Sequence, residues 1–254
     1  MRLVSWNVNG IRAAVRNGFW SWLEDDGPDI LCLQETRIQP EQLTPKMHKP
    51  PGYHALWHAG ERRGYSGVAT LSRERPGSAR EGFGQPRFDV EGRTLLTRHR
   101  SFTLLNVYFP NGGRGYERVL FKIDFYDALL AYCGQLRSAG ERLVVCGDFN
   151  TSHQPIDLAR PKENEKTSGF LPEEREALSR WLDAGFVDVY RQLHPDKREY
   201  TWWTYRFDAR ARDIGWRLDY FLLTEDLLPD VRDARILGDV QGSDHCPIAL
   251  ELDL

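Results

Sequence analysis

The stretch VVCGDFN, residues 144–150, is apolar until it stops on an acid and an amide two residues apart, Asp148 and Asn150. A short apolar run bounded by turn formers reads as a buried strand. The same pattern occurs in LVSWNVNG, which stops at Asn7 and Asn9, and in DILCLQET, which stops at Glu35. Residues i and i+2 of an extended chain share a face, so Asp148 and Asn150 are expected to present a carboxylate and a carboxamide to one spot past the strand end. Taken singly, such a pair is turn punctuation, because Asp and Asn bond nearby backbone and tolerate unusual dihedrals.

Between the first two strands, Ile11, Val15, Phe19, Trp22 and Leu23 recur with helical spacing, and Gly27-Pro28 turns the chain into DILCLQE. The opening is therefore β-α-β. Further β-rich runs follow at GYHALWHA, SGVATLS, GRTLLTRH and FTLLNVYF. Val119, Ile123, Tyr126, Leu130 and Cys133 then mark an amphipathic helix ending near Gly140. Residues 151–170 show neither period, and a loop that long inside a compact protein is usually functional or mobile. Pro172, Glu173 and Glu174 open another helix that Gly185 closes. The tail segments YTWWTY, WRLDYFLL and SDHCPIALEL are strand-like. Both halves start with a strand running from "RLV" to a polar pair, and no linker composition divides them. The expectation is one α/β domain over residues 1–254 with two packed sheets.

Composition narrows the function. The chain is 41% apolar and 28% charged, as in folded globular proteins. No apolar run approaches the roughly 18 residues of a membrane span, and the first strand follows the initial Met too closely for a signal peptide, so a cytoplasmic protein is expected, nucleoid-associated in a prokaryote. Cys32, Cys133, Cys146 and Cys246 are scattered and lie mostly in apolar runs, which favours buried thiols over disulfides or a zinc site. A net charge of −3 excludes general attraction to polyanions, so a nucleic-acid partner must be met by a local patch.

Asp219 in WRLDYF and Asp244-His245 in GSDHCP add further acids and one imidazole at strand-like boundaries. Hard oxygen donors with one imidazole suit phosphodiester hydrolysis assisted by a divalent cation. They do not suit zinc, which favours His and Cys clusters. An Asp bonded to a His fixes its tautomer and favours imidazolium, useful against a developing oxyanion.

The ordered segments SWNVNGIRA, LCLQET, RGYSGVA, VYFPNGGRG, CGDFN, GWRLDYF and GSDHCPI closely resemble the exonuclease III family of apurinic/apyrimidinic endonucleases, within the endonuclease/exonuclease/phosphatase superfamily. The resemblance spans residues 5–248. It implies a four-layer α/β sandwich, two central β-sheets flanked by helices, with the site at one edge. It implies a DNA-repair nuclease that hydrolyses the phosphodiester 5′ to abasic sites in duplex DNA and leaves a 3′-hydroxyl, with 3′-to-5′ exonuclease and 3′-end repair activity. Glu35 becomes the principal ligand for Mg²⁺, for which Mn²⁺ can substitute, with Asn9 and Asp244 nearby. Asp148 positions or deprotonates the attacking water. His245 contacts the scissile phosphate and is oriented by Asp219, while Asn7, Tyr108, Asn111 and Asn150 hold phosphate oxygens, the water or the leaving group. Tyr108 and a water on the metal are rival donors to the leaving oxygen.

Substrate choice falls to YTWWTYRFDARARDIGWRLDYF, where residues 206–217 hold four Arg against two Asp. By the resemblance, Trp202, Trp216 and Leu218 line a pocket for a flipped-out sugar without its base. Core packing is the competing role for Trp202, Trp203 and Trp216. Arg114 and Arg206 match positions that enter the duplex grooves, and Asn164 matches a phosphate contact. The implied partner is double-stranded DNA with abasic sites or blocked 3′ ends, and the protein acts as a monomer. Asn9 stands where some relatives carry Asp, making the metal site less negative, and Thr167 stands where many carry Asn. A phosphatase acting on inositol phosphates, lipids or RNA tails would share Glu35, Asp148 and His245 but needs no aromatic wall. A noncatalytic DNA-binding protein would not need the acids.

Overall fold

The computed structural model describes residues 1–254. Twelve strands follow in chain order: β1 (Arg2–Asn7), β2 (Ile30–Gln34), β3 (His54–His58), β4 (Val68–Ser72), β5 (Ser78–Glu81), β6 (Thr94–Arg98), β7 (Thr103–Tyr108), β8 (Leu143–Asp148), β9 (Phe186–Asp188), β10 (Asp219–Thr224), β11 (Val231–Ile236) and β12 (Ile248–Leu252). They form two six-stranded sheets, ordered β11-β12-β1-β2-β4-β3 and β5-β6-β7-β8-β10-β9. Each sheet has one parallel pair, β1 with β2 and β7 with β8, and antiparallel neighbours elsewhere. Read in opposite directions, the two orders correspond, with β1 matching β8 and β12 matching β10. The "RLV" echo in the sequence therefore marks equivalent central strands.

The central strands are apolar on both faces because both faces are covered. Leu3, Ile30, Cys32, Leu104, Val144, Cys146 and Leu250 meet between the sheets. Outside the first sheet, Trp6, Leu31 and Leu33 pack on Phe19 and Leu23. Outside the second, Leu105, Val107 and Val145 pack on Phe125, Tyr126, Leu178 and Trp181. The result is helix, sheet, sheet, helix: the four-layer sandwich. All four cysteines are buried free thiols. No helix is long and apolar enough to cross a membrane.

Local structure departs from the sequence reading at three places. The first helix is two, Ile11–Arg16 and Phe19–Asp26, because Gly18 adopts a left-handed backbone (φ 94°) at the second helix's start. YTWWTY is no strand; only isolated bridges from Trp202 to Trp216 and His245 are present. The helix Tyr116–Ser138 buries Lys122 and Phe125 rather than Ile123, a polar residue in the stripe that periodicity did not anticipate.

Candidate active site

The parallel strands β1, β2, β7 and β8 end at Asn7, Gln34, Tyr108 and Asp148, and the antiparallel β10 begins at Asp219. Tyr108 and Asp148, with side chains from the loops beyond these ends, line a cavity of about 550 Å³. Crevices beyond the carboxyl ends of parallel strands are where α/β sheets hold ligands.

Asn7 joins the two sheets. Its Nδ2 donates to Asp148 Oδ2 at 2.8 Å and to Glu35 Oε2 at 3.2 Å, while its Oδ1 accepts from the Asn9 amide at 2.9 Å. Asp148 and Asn150 do converge, but not on an extended strand. β8 stops at Asp148, and Asn150 sits in the left-handed region (φ 52°). Its amide N donates to Asp148 Oδ1 at 2.8 Å and its Nδ2 to Asp148 Oδ2 at 3.1 Å. The pair thus forms a turn and also lines the cavity. Asn9 (φ 45°) and Glu35 (φ 54°) share that backbone region, and such residues cost of order 1 kcal/mol or more each, held by surrounding structure.

His245 Nδ1 lies 2.8 Å from Asp219 Oδ2, and its Nε2 lies 3.8 Å from Asp148 Oδ2. Burial alone would lower the imidazole pKa, but Asp219 and Asp148 outweigh it and push it up to about 10. Burial raises the Asp148 carboxyl, and Asp219 adds to that, against the opposing charge of His245. Burial also raises the Tyr108 phenol, aided by Glu35, so it stays neutral. Asp148, Asp219 and His245 approach closely enough to hold a metal ion, although His245 Nδ1 is already bonded to Asp219.

Glu35, Asn9 and Asp244 line the cavity together. Asn9 Nδ2 donates to Asp244 Oδ1 at 2.9 Å, and Trp202 Nε1 donates to Asp244 Oδ2 at 3.1 Å. Asn9 Oδ1 is buried without a protein partner. Arg37 pairs with Glu35 Oε1. An all-oxygen set containing an orphaned buried acceptor fits a hard divalent cation.

Tyr108, Asn111, Arg114, Trp202, Trp216 and Leu218 also line the cavity. Asn111 Nδ2 donates to Asn150 Oδ1 at 2.9 Å. Trp202 and Trp216 meet edge to face at 6.4 Å, whereas Trp203 is the core residue of the three, packed on Tyr200, Ala209 and Cys246.

Two expected DNA contacts lie elsewhere. Asn164 does not line this cavity; its Nδ2 donates to Arg160 O at 2.8 Å, and Thr167, Ser168 and Gly169 of the same loop line the wall instead. Arg206 is exposed in a separate groove. Arg217 adds nothing to the surface patch either, because it is buried in ion pairs with Asp157 and Asp188. The sequence reading also missed the basic side of the cavity, Arg37, Arg62, Arg63 and Arg118. The RR before GYSG was its only signal.

The profile of the Endonuclease/Exonuclease/phosphatase family matches residues 4–245. The chain belongs to the endonuclease/exonuclease/phosphatase family. Membership in this family makes it a hydrolase. An exodeoxyribonuclease of Bacillus subtilis is 43% identical to it, covering all of both chains. The DNA repair nuclease APEX1 of Danio rerio is 44% identical, covering 99% of this chain and 82% of that protein. Among solved structures, an AP endonuclease from Archaeoglobus fulgidus superposes with a TM-score of 0.91 at 30% identity over 100% of both chains. A Neisseria 3′ phosphatase bound to a product DNA hairpin gives 0.92 at 27%, also over 100% of both. The fold and family expected from the motifs are those found.

Proposed function

We propose that this family member, acting as one unit and as a monomer, hydrolyses the phosphodiester 5′ to abasic sites in duplex DNA and leaves a 3′-hydroxyl, with 3′-to-5′ exonuclease and 3′-end repair at the same site. The observation that carries it is the meeting, in one cavity, of the Asp148-His245 pair, the oxygen donors around Glu35 and the Trp202-Trp216 wall. Acids and imidazole suit any phosphoester. The wall selects a sugar without a base, which an inositol phosphatase has no need of. Relatives named as exodeoxyribonuclease and DNA repair nuclease support DNA as substrate, and a cytoplasmic location, with the nucleoid in a prokaryote, goes with that reading.

Glu35, Asn9 and Asp244 would hold Mg²⁺, or Mn²⁺ in its place. When bound, the cation neutralises phosphate charge and polarises its oxygens. Asp148, fixed by donors from Asn7 and Asn150, aligns the attacking water and takes its proton. The His245 imidazolium, held by Asp219, donates to a phosphate oxygen as charge builds there. Asn150 and Asn111 hold the opposite side of the phosphate, and the neutral Tyr108 hydroxyl can protonate the leaving oxygen.

The test is a duplex carrying one synthetic abasic site, assayed with EDTA and then with Mg²⁺ or Mn²⁺ restored. Expected is no incision in EDTA and a 3′-hydroxyl product on restoration. Full activity in EDTA, or an unsaturated 3′ end from β-elimination, rejects the reading.

A further inference from the structure

Trp216 and Leu218 line the cavity, but the residue between them does not. Arg217 is 1% exposed and turns its side chain to the other side of that segment. Its Nε donates to Asp157 Oδ1 at 2.8 Å, and its two terminal nitrogens donate to the two oxygens of Asp188 at 3.2 and 2.7 Å. The guanidinium also lies over the rings of Tyr190 and Tyr220, 5.5 and 4.3 Å from their centroids. None of these four partners lines the cavity. Arg191 Nη2 donates to Asp157 Oδ1 at 2.5 Å, so two cations meet two acids and the cluster is neutral. Burial would raise the Asp157 carboxyl, yet Arg217 outweighs it and holds the group below its ordinary value.

Backbone bonds lead from this cluster to the cavity. The Arg217 amide donates to Asp157 O at 2.7 Å and the Ala159 amide to Gly215 O at 3.0 Å, so the 151–170 loop runs beside the wall segment, with Leu158 bridged to Trp216. Ser152 Oγ donates to Arg217 O at 3.1 Å, and the Ser152 amide donates to Gly169 O at 2.8 Å. Gly169 in turn borders Trp216 in the cavity. Asp188 ends the edge strand β9 and accepts from the Arg191 amide at 3.1 Å. One buried guanidinium therefore joins the wall, the loop beside it and the edge of the second sheet. A bidentate fork fixes direction and distance as well as charge, which a point charge does not. Resting on the nuclease reading above, we propose that Arg217 is a positioning residue for substrate selection: without touching DNA, it sets Trp216 and Leu218 against the 151–170 loop, and so the fit of a sugar that lacks its base.

The test compares kcat/KM on an abasic duplex and on the same duplex undamaged, in Mg²⁺ at one salt concentration, with Tm followed for each protein. Arg217→Lys keeps the charge but cannot span both acids. Small misplacements far from the chemistry can cost on the order of 100-fold, so abasic incision should fall about 10- to 100-fold, while cleavage of undamaged DNA falls less. Asp188 reaches the wall only through Arg217, so Asp188→Asn should move the ratio the same way by a smaller factor, and it serves where Arg217→Lys does not fold. In a Trp216→Ala background, Arg217→Lys should cost less than it does alone, because both changes act on one wall. An unchanged ratio with a lowered Tm, or losses that simply add, would make Arg217 a stability residue and overturn the proposal. A parent protein that does not incise the abasic duplex defeats the repair reading and the proposal with it; a parent that does, with the ratio unmoved in the variants, defeats the proposal alone.

Discussion

His245 stands between two buried acids, with Nδ1 2.8 Å from Asp219 Oδ2 and Nε2 3.8 Å from Asp148 Oδ2. A histidine pKa raised to about 10 means that the folded protein holds the imidazolium through neutral pH. The sign follows from linkage: the stability this contributes is complete below the unfolded value of about 6.5 and is lost as pH rises through about 10. In metal-free protein, the His245 ring signals should therefore stay those of the protonated form from pH 6 to 8 by NMR. Asp219→Asn should lower the titration and slow incision, while Kd for abasic duplex moves little. A neutral ring at pH 7 in the parent refutes this.

Asp148→Asn keeps the shape of the carboxylate and removes its charge. Loss of one positioned base or orienting group costs about 10² to 10⁴ in rate. Incision should fall in that range while gel-shift affinity for abasic duplex is preserved. A variant within tenfold of the parent would reduce Asp148 to a turn residue.

Asn9 supplies an amide where a second carboxylate would draw a cation more strongly. Asn9→Asp should lower the Mg²⁺ concentration needed for half-maximal incision, with direct binding followed by calorimetry. An unchanged or higher requirement would remove Asn9 from the metal site.

Gly169 packs so closely on Trp216 that a Cβ there would lie 3.2 Å from the ring. Gly169 and Trp216 thus border the cavity side by side. Trp216→Ala should lose roughly 1.5–3 kcal/mol of apolar contact with the sugar, about 10- to 150-fold in abasic incision efficiency. The ratio of abasic to undamaged cleavage, at one salt concentration, should fall further still. An unchanged ratio with a lower Tm would make Trp216 a packing residue.

Lys122 and Glu174 form a fully buried ion pair at 2.7 Å behind the site. Lys122 Nζ also donates to Asn150 O at 2.7 Å, and Glu174 accepts from Ser168 Oγ and from the amides of Gly169 and Leu171. Breaking a buried pair costs about 3–5 kcal/mol, or roughly 6 to 20 °C in Tm for a chain of this size. Glu174→Gln should lose both stability and incision. The double variant Lys122→Met, Glu174→Leu should recover Tm beyond either single change without recovering incision, because nothing then holds the turn at Ser168 and Gly169. Recovery of both would make the pair a stability element only.

Sequence alone determined the layered α/β class, because uninterrupted apolar runs such as VVC and ILCL can only be buried on both faces. It also singled out Asn7, Glu35, Asp148, Asp219 and His245 as candidates, since polar residues at the ends of such runs mark where backbone leaves the core; that most of them are buried there was not legible in the sequence. What it could not decide depends on contacts between distant segments. Asn150 reaches Asp148 through a left-handed turn, which period-two reasoning does not describe. Arg210 and Arg217 carry the same charge as Arg206 and Arg212, yet the first two are consumed by carbonyls and by Asp157 and Asp188 across the fold. Trp203 lies in the core while its neighbour Trp202 lines the cavity, because adjacent residues of an extended segment point to opposite sides. Charge and hydrophobicity belong to the residue, whereas burial and partners belong to the packing. Only the tertiary structure distinguished the arginines that hold the fold from those left without a buried partner at the surface.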